Sequence, residues 1–174
     1  MALMRQKAAV LVLGFLLCAA TPLSSPTPSF QESLDTLKKA FEAGRYSEAE
    51  TGARDLLARA EKAYGPESPQ VCDVLDFLVD VRVSQGKARV PETREMAERA
   101  VGIARKVYGD ETSSYARSLC SLGNVLLELN EFDQSRTCYV KALAIREKVL
   151  PTDDPDLATV LYGLANVEGK TGHY

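Results

Sequence analysis

The chain has no tryptophan, one histidine and four cysteines in 174 residues. The lone histidine, His173, is the penultimate residue, so no Ser-His-Asp or Cys-His arrangement can be assembled around it. Glycine-rich phosphate loops and cysteine, histidine or carboxylate clusters at metal-ligand spacing are also missing. No catalytic residue, metal or cofactor is therefore expected, and the chain reads as a non-enzyme. Acidic residues are numerous, but their scatter is that of solvated helix surfaces, and pairing any two as acid and base would be arbitrary. Beyond residue 30 no run of alternating β-branched residues appears, which argues against strands.

Long hydrophobic runs are scarce too; the one present lies at the start. Arg5 and Lys7 precede an uncharged apolar stretch, Ala8 to Leu17, followed by the small residues Cys18, Ala19 and Ala20. This is the pattern of a secretory signal peptide, expected over residues 1–20. The alternative is an uncleaved membrane anchor, but the run falls short of the ~20 residues that span a bilayer. A lipid attached at Cys18 is disfavoured by the large Leu17 before it. Cleavage after Ala20 leaves a Pro/Ser-rich leader over residues 21–29, and localisation in the periplasm or outside the cell follows.

Removal of Arg5 and Lys7 takes the formal charge from −3 to −5, which does not fit a nucleic-acid partner. Cys72, Cys120 and Cys138 remain, an odd number at spacings of no zinc or redox motif. They read as small core or groove residues, with one disulfide open to them in an oxidising compartment and its pairing left unset.

What is present in quantity is alanine, leucine, glutamate, arginine and lysine, a helix-forming set, with 45% hydrophobic residues to build a core. Two kinds of punctuation recur. Gly44-Arg45-Tyr46, Gly86-Lys87-Ala88, Asn130-Glu131-Phe132 and Gly172-His173-Tyr174 stand 42, 44 and 42 residues apart. Tyr64-Gly65-Pro66, Tyr108-Gly109-Asp110 and Leu150-Pro151-Thr152 alternate with them at 44 and 42. Two landmarks with one period define a repeat and place a two-residue insertion in the second, within Ala88 to Pro91. Between them the apolar residues keep a helical rhythm, as in Leu119, Leu122, Leu126 and Leu129. Glycine or asparagine suits a left-handed helix end, and the Pro, Ser and Asp clusters supply N-caps. Helices are predicted over 30–43, 46–63, 70–85, 91–107, 114–129, 132–149 and 156–171.

Leu119, Leu122, Gly123, Leu126, Phe132, Tyr139 and Ala142, followed by Leu161-Tyr162-Gly163-Leu164-Ala165, resemble the tetratricopeptide repeat of the 42-residue kinesin-light-chain type. The first repeat matches in Gly44-Arg45-Tyr46-Ser47-Glu48-Ala49; the second departs at Thr93, where the family has alanine. The resemblance covers about residues 30–174 and implies an all-α fold, a right-handed α-solenoid of about three and a half helical hairpins. Its repeats would run over 30–69, 70–113, 114–155 and an incomplete 156–174. Such arrays are summed from neighbour interactions, so one hairpin alone is not stable.

The resemblance also implies a binding function in a concave groove walled by the first helix of each repeat. Alignment carries the groove onto Gln31, Leu34, Lys38 and Phe41; Asp73, Asp76, Asp80 and Val83; Arg117, Cys120, Asn124 and Leu127; and Thr159, Tyr162, Asn166 and Lys170. Asp73, Asp76 and Asp80 share one helix face. They either attract a basic segment or form a solvated acidic surface. Asn124 and Asn166 are equivalent, and each amide offers a donor and an acceptor to a peptide backbone, or faces water. Tyr162 adds aromatic area there, or packs on a following helix. The expected function is a non-catalytic protein- or peptide-binding scaffold. Its rival is the N-terminal regulatory array of a longer enzyme, such as a caspase-like peptidase fusion. End-to-end self-association through the unfinished fourth repeat is a third expectation.

Overall fold

Left-handed backbone falls at each of the four turn landmarks, with φ of 73° at Gly44, 70° at Gly86, 63° at Asn130 and 75° at Gly172. The computed structural model describes residues 28–172. The expected signal peptide, leader residues 21–27, His173 and Tyr174 lie outside the described residues. The helices are α1 (Phe30–Glu42), α2 (Tyr46–Tyr64), α3 (Pro69–Ser84), α4 (Pro91–Tyr108), α5 (Ser113–Glu128), α6 (Phe132–Val149) and α7 (Pro155–Thr171). Among the described residues there is no strand. All seven begin and end within one residue of the limits predicted from the punctuation.

The same short hydrogen bonds close the first three hairpins. Gly44 N–H donates to the Phe41 carbonyl and Arg45 N–H to that of Ala40; Gly86 and Lys87 repeat this onto Val83 and Arg82, and Asn130 and Glu131 onto Leu127 and Leu126. Both bonds need a positive φ at the turn residue, which glycine adopts freely and asparagine tolerates. Each odd-numbered helix starts on a side-chain cap. Ser29, Ser68, Thr112 and Asp154 accept a hydrogen bond from Glu32, Val71, Tyr115 and Asp156 N–H, respectively. The even-numbered helices have no such cap.

The insertion in the second repeat is an extra turn after Gly86. Val90 N–H donates to the Lys87 carbonyl at 3.1 Å, and α4 begins only at Pro91. Thr93 explains the departure from alanine. Wholly buried, its hydroxyl donates to the Lys87 carbonyl at 2.8 Å and accepts from Arg82 Nε at 2.8 Å, pinning the inserted turn.

Arg82 is itself out of character. The turn bonds align it with Ala40 and Leu126, yet it is a buried arginine. Its guanidinium lies 2.7 Å from Glu50 of α2 and 3.3 Å from Glu92 of α4, while Lys87 completes the Glu50 pair. The joint between the first two repeats is thus closed by an ionic cluster centred on a position that is apolar in the neighbouring repeats.

Consecutive helices pack against each other throughout, and α1 also touches α3, α3 touches α5 and α5 touches α7. Helices α2, α4 and α6 make no comparable contact with one another. One row is therefore closely stacked and the other splayed, and the array bends with the odd helices on the inside. Small residues permit the close approach: Ala49, Ala53, Ala97, Ala100, Ala116 and Ala142 are wholly buried. On α7, Leu161 and Tyr162 remain exposed, and no further odd helix covers them among the described residues.

Candidate binding groove

Because Ser68 and Pro69 set the start of α3, the three-and-four spacing of Asp73, Asp76 and Asp80 places all three on the inner face, toward α5. They are not a solvated surface. Asp76 is 1% exposed, and its Oδ2 accepts from Ser118 Oγ at 2.8 Å and Arg117 Nε at 3.3 Å. Arg117 also pairs with Asp73. Ser121 Oγ donates to Asp80 Oδ1 at 3.3 Å. Asp76 Oδ1 is buried and has no hydrogen-bond partner among the described residues. Free acceptors of this kind are uncommon in protein interiors.

The electrostatics follow from that enclosure. Burial pushes the Asp76 carboxyl up to about 6, against the pull of Arg117 and the Ser118 hydrogen bond. Burial, then the neighbouring charge of Asp76, pushes Asp80 up to about 7. Arg117 faces three carboxylates while lying beside only two of them, so among the described residues Asp80 has no close cation.

A cavity of about 200 Å³ opens between α1, α3 and α5, lined by Leu34 and Lys38 on one side, Asp73, Asp76 and Asp80 on the floor, and Arg117 opposite. The structure thus brings the whole acidic stripe into one cleft on the concave wall. The equivalent position on each odd helix is Lys38, Asp80, Asn124 and Asn166. Asn124 is not wholly free, because Tyr139 Oη donates to its Oδ1 at 2.6 Å, leaving the amide N–H pair as its open donor. Asn166 is half-buried. Tyr162 is 71% exposed, whereas its equivalents Leu34, Asp76 and Cys120 are buried beneath the following odd helix.

Ser118 and Ser121 were not picked out from the sequence as partners of the acidic face. Their separations of 42 and 41 residues from Asp76 and Asp80 are close to one repeat, which was the available signal. Cys72, Cys120 and Cys138 are free thiols. Among the described residues no group of three or more histidine, cysteine or acidic side chains is placed to hold a metal ion. No described helix is long and apolar enough to cross a membrane.

Stacked helical hairpins with a 42-residue period, a left-handed turn in each and an inner wall of first helices define an α-solenoid of helix-turn-helix repeats. The chain belongs to the tetratricopeptide repeat family: one family model matches residues 88–148 and 122–174, and a second matches residues 30–70. Among solved structures it is similar to kinesin light chain nearly identical TPR-like repeats of Podosopora anserina, with a TM-score of 0.73 and 19% identity over 83% of this chain and 67% of that one. It is also similar to BtubC (BKLC) from P. vanneervenii, with a TM-score of 0.71 and 18% identity over 83% of this chain and 57% of that one. No curated protein matches the chain. The family is one of protein-interaction scaffolds, typically non-catalytic.

Proposed function

We propose that the chain is a non-catalytic adaptor that holds an extended, basic protein segment in the groove formed by α1, α3, α5 and α7. The observation that carries this reading is the acidic cleft at Asp73, Asp76 and Asp80 on the concave wall, continued along the wall by Asn124 and Asn166. A ligand backbone meets amides on α5 and α7 while its cations meet carboxylates on α3. Arg5, Lys7 and the apolar run to Leu17 support action outside the cytoplasm.

The test is capture of random dodecapeptides displayed on phage by the purified full chain. Enrichment of lysine- and arginine-bearing sequences is expected, with weaker retention by Asp73→Asn and by Asn166→Ala at unchanged thermal stability. Failure to enrich any sequence overturns the adaptor, and retention indifferent to both variants moves the binding surface off the groove.

A further inference from the structure

In the second and third repeats the second helix lies on a fixed face of the first. Cys72 of α3 donates its thiol hydrogen to the Ala100 carbonyl of α4 at 3.5 Å, and Ser135 Oγ of α6 donates to the Gly123 carbonyl of α5 at 2.8 Å. Under this cover Cys72, Leu75 and Val79 on α3, and their equivalents Ala116, Leu119 and Gly123 on α5, are all buried. On α7 the same three positions are Ala158, Leu161 and Ala165. All three are exposed, Leu161 by 53%. Beside them opens a cleft of about 380 Å³ whose lining includes Leu143, Leu150, Leu157 and Leu161. Leu157 and Leu161 correspond to Val71 and Leu75, and to Tyr115 and Leu119, which share one core with Ile103 of α4 and Ile145 of α6.

Charge marks the register of the same joint. Lys106, in the last turn of α4, pairs with Glu67 just before α3. Lys148, in the last turn of α6, pairs with Glu111 just before α5 at 3.1 Å. Asp153 holds that place before α7; it is exposed, and no cation pairs with it among the described residues.

We propose that this face of α7 docks one amphipathic helix of a partner protein, in the place that α4 takes on α3 and α6 takes on α5. The chemistry of that helix follows from α4 and α6, which agree at four positions. A hydroxyl stands at Thr93 and Ser135, an alanine at Ala100 and Ala142, an isoleucine at Ile103 and Ile145, and a lysine at Lys106 and Lys148. On the partner helix the hydroxyl meets the Ala165 carbonyl, as Ser135 meets that of Gly123. The alanine lets the two helices approach closely, and the isoleucine fills the cleft at Leu157 and Leu161. The lysine sits on Asp153; an exposed pair of this kind adds little affinity but selects register and direction. The surface is separate from the acidic cleft, and the inference does not depend on what the concave groove holds.

The experiment titrates the full chain into a fluorescein-labelled synthetic peptide of residues 91–108, the α4 sequence, and reads anisotropy. A saturable rise is expected with this peptide and not with a scrambled peptide of the same composition. Leu161→Lys, at an exposed position, is expected to weaken binding at least about tenfold. Asp153→Lys is expected to weaken it about two- to fivefold, and Lys106→Glu in the peptide to restore it. Ala158→Lys serves as the second face variant should Leu161→Lys fail to fold. No preference over the scrambled peptide, or binding indifferent to the face variants, overturns the proposal. A dimer of the unliganded chain in sedimentation that Leu161→Lys dissolves overturns it as well, because a second copy would then hold the face.

Discussion

The ring of Tyr139 lies so close to Gly163 that a Cβ built on that glycine would stand 2.3 Å from the ring edge. On its other side the ring meets Gly123, where a Cβ would stand 3.0 Å away. One side chain of α6 is therefore clasped between the backbones of α5 and α7, and its hydroxyl reaches on to Asn124. Gly163→Ala is expected to destabilise the array by about 1–3 kcal/mol through overpacking. Gly169→Ala, on the same helix with nothing within 4 Å, is expected to stabilise it by about 0.5–1 kcal/mol. Urea midpoints of the two variants check the pair, and similar shifts would dismiss the clasp.

Arg82 occupies a position that is alanine or leucine in the flanking repeats, and its partners Glu50, Glu92 and Thr93 come from both sides of the joint. Arg82→Ala is expected to cost about 3–5 kcal/mol, because Thr93 and a largely buried Glu50 lose their donor. Arg82→Leu combined with Glu50→Leu is expected to recover most of that loss, since apolar packing replaces the pair. A double-mutant cycle by denaturant unfolding measures the coupling, which should exceed about 1 kcal/mol, inside the range for contacting residues.

Two groups of carboxylates oppose each other in pH. Burial tends to raise Glu50, but Lys87, Gln85 and Arg82 hold it down to about 2, so its contribution is present above its ordinary value near 4.5 and is lost as pH falls from there toward 2. Asp76 and Asp80 are raised from 3.8 to about 6 and about 7, so the folded state binds more protons than the unfolded, and stability declines as pH rises from about 4 to about 7. Asp80→Asn should flatten that decline and raise Tm at pH 7.5 by about 2–4 °C. Thermal melts at half-unit pH intervals provide the comparison; an unchanged slope contradicts the assignment.

Burial pushes the Cys72 thiol up to about 12 and Cys120 up to about 11, and it raises the half-buried Cys138 as well. Under native conditions iodoacetamide is expected to label Cys138 before either of the others, and Cys72 only on unfolding. Peptide mapping by mass spectrometry gives the order, and early labelling of Cys72 would contradict its place in the core.

The fold was legible because its signals are local. Gly44, Gly86 and Asn130 each announce a left-handed turn within a few residues, and the extra turn before Pro91 shows itself as a break in a fixed period. The acidic face was legible as a face, from spacing on α3 alone. That Arg117, Ser118 and Ser121 close over it was not, because the crossing of α3 and α5 decides which residue one repeat away meets which, and that angle is a property of the stack. Arg82 was hidden for a similar reason: a charged residue at an apolar position makes sense only once Glu50 and Glu92 arrive from two other helices.

The caps on the odd helices have an evolutionary consequence. Each unit of about 42 residues carries its own start, at Ser29, Ser68, Thr112 or Asp154, and its own turn, so copying a unit copies the signals that shape its hairpin. The joints themselves are less portable. Arg82 and Lys87 of the second unit depend on Glu50 of the unit before, and Asp73, Asp76 and Asp80 of the second on Arg117, Ser118 and Ser121 of the unit after, so these three units must be inherited together and in that order.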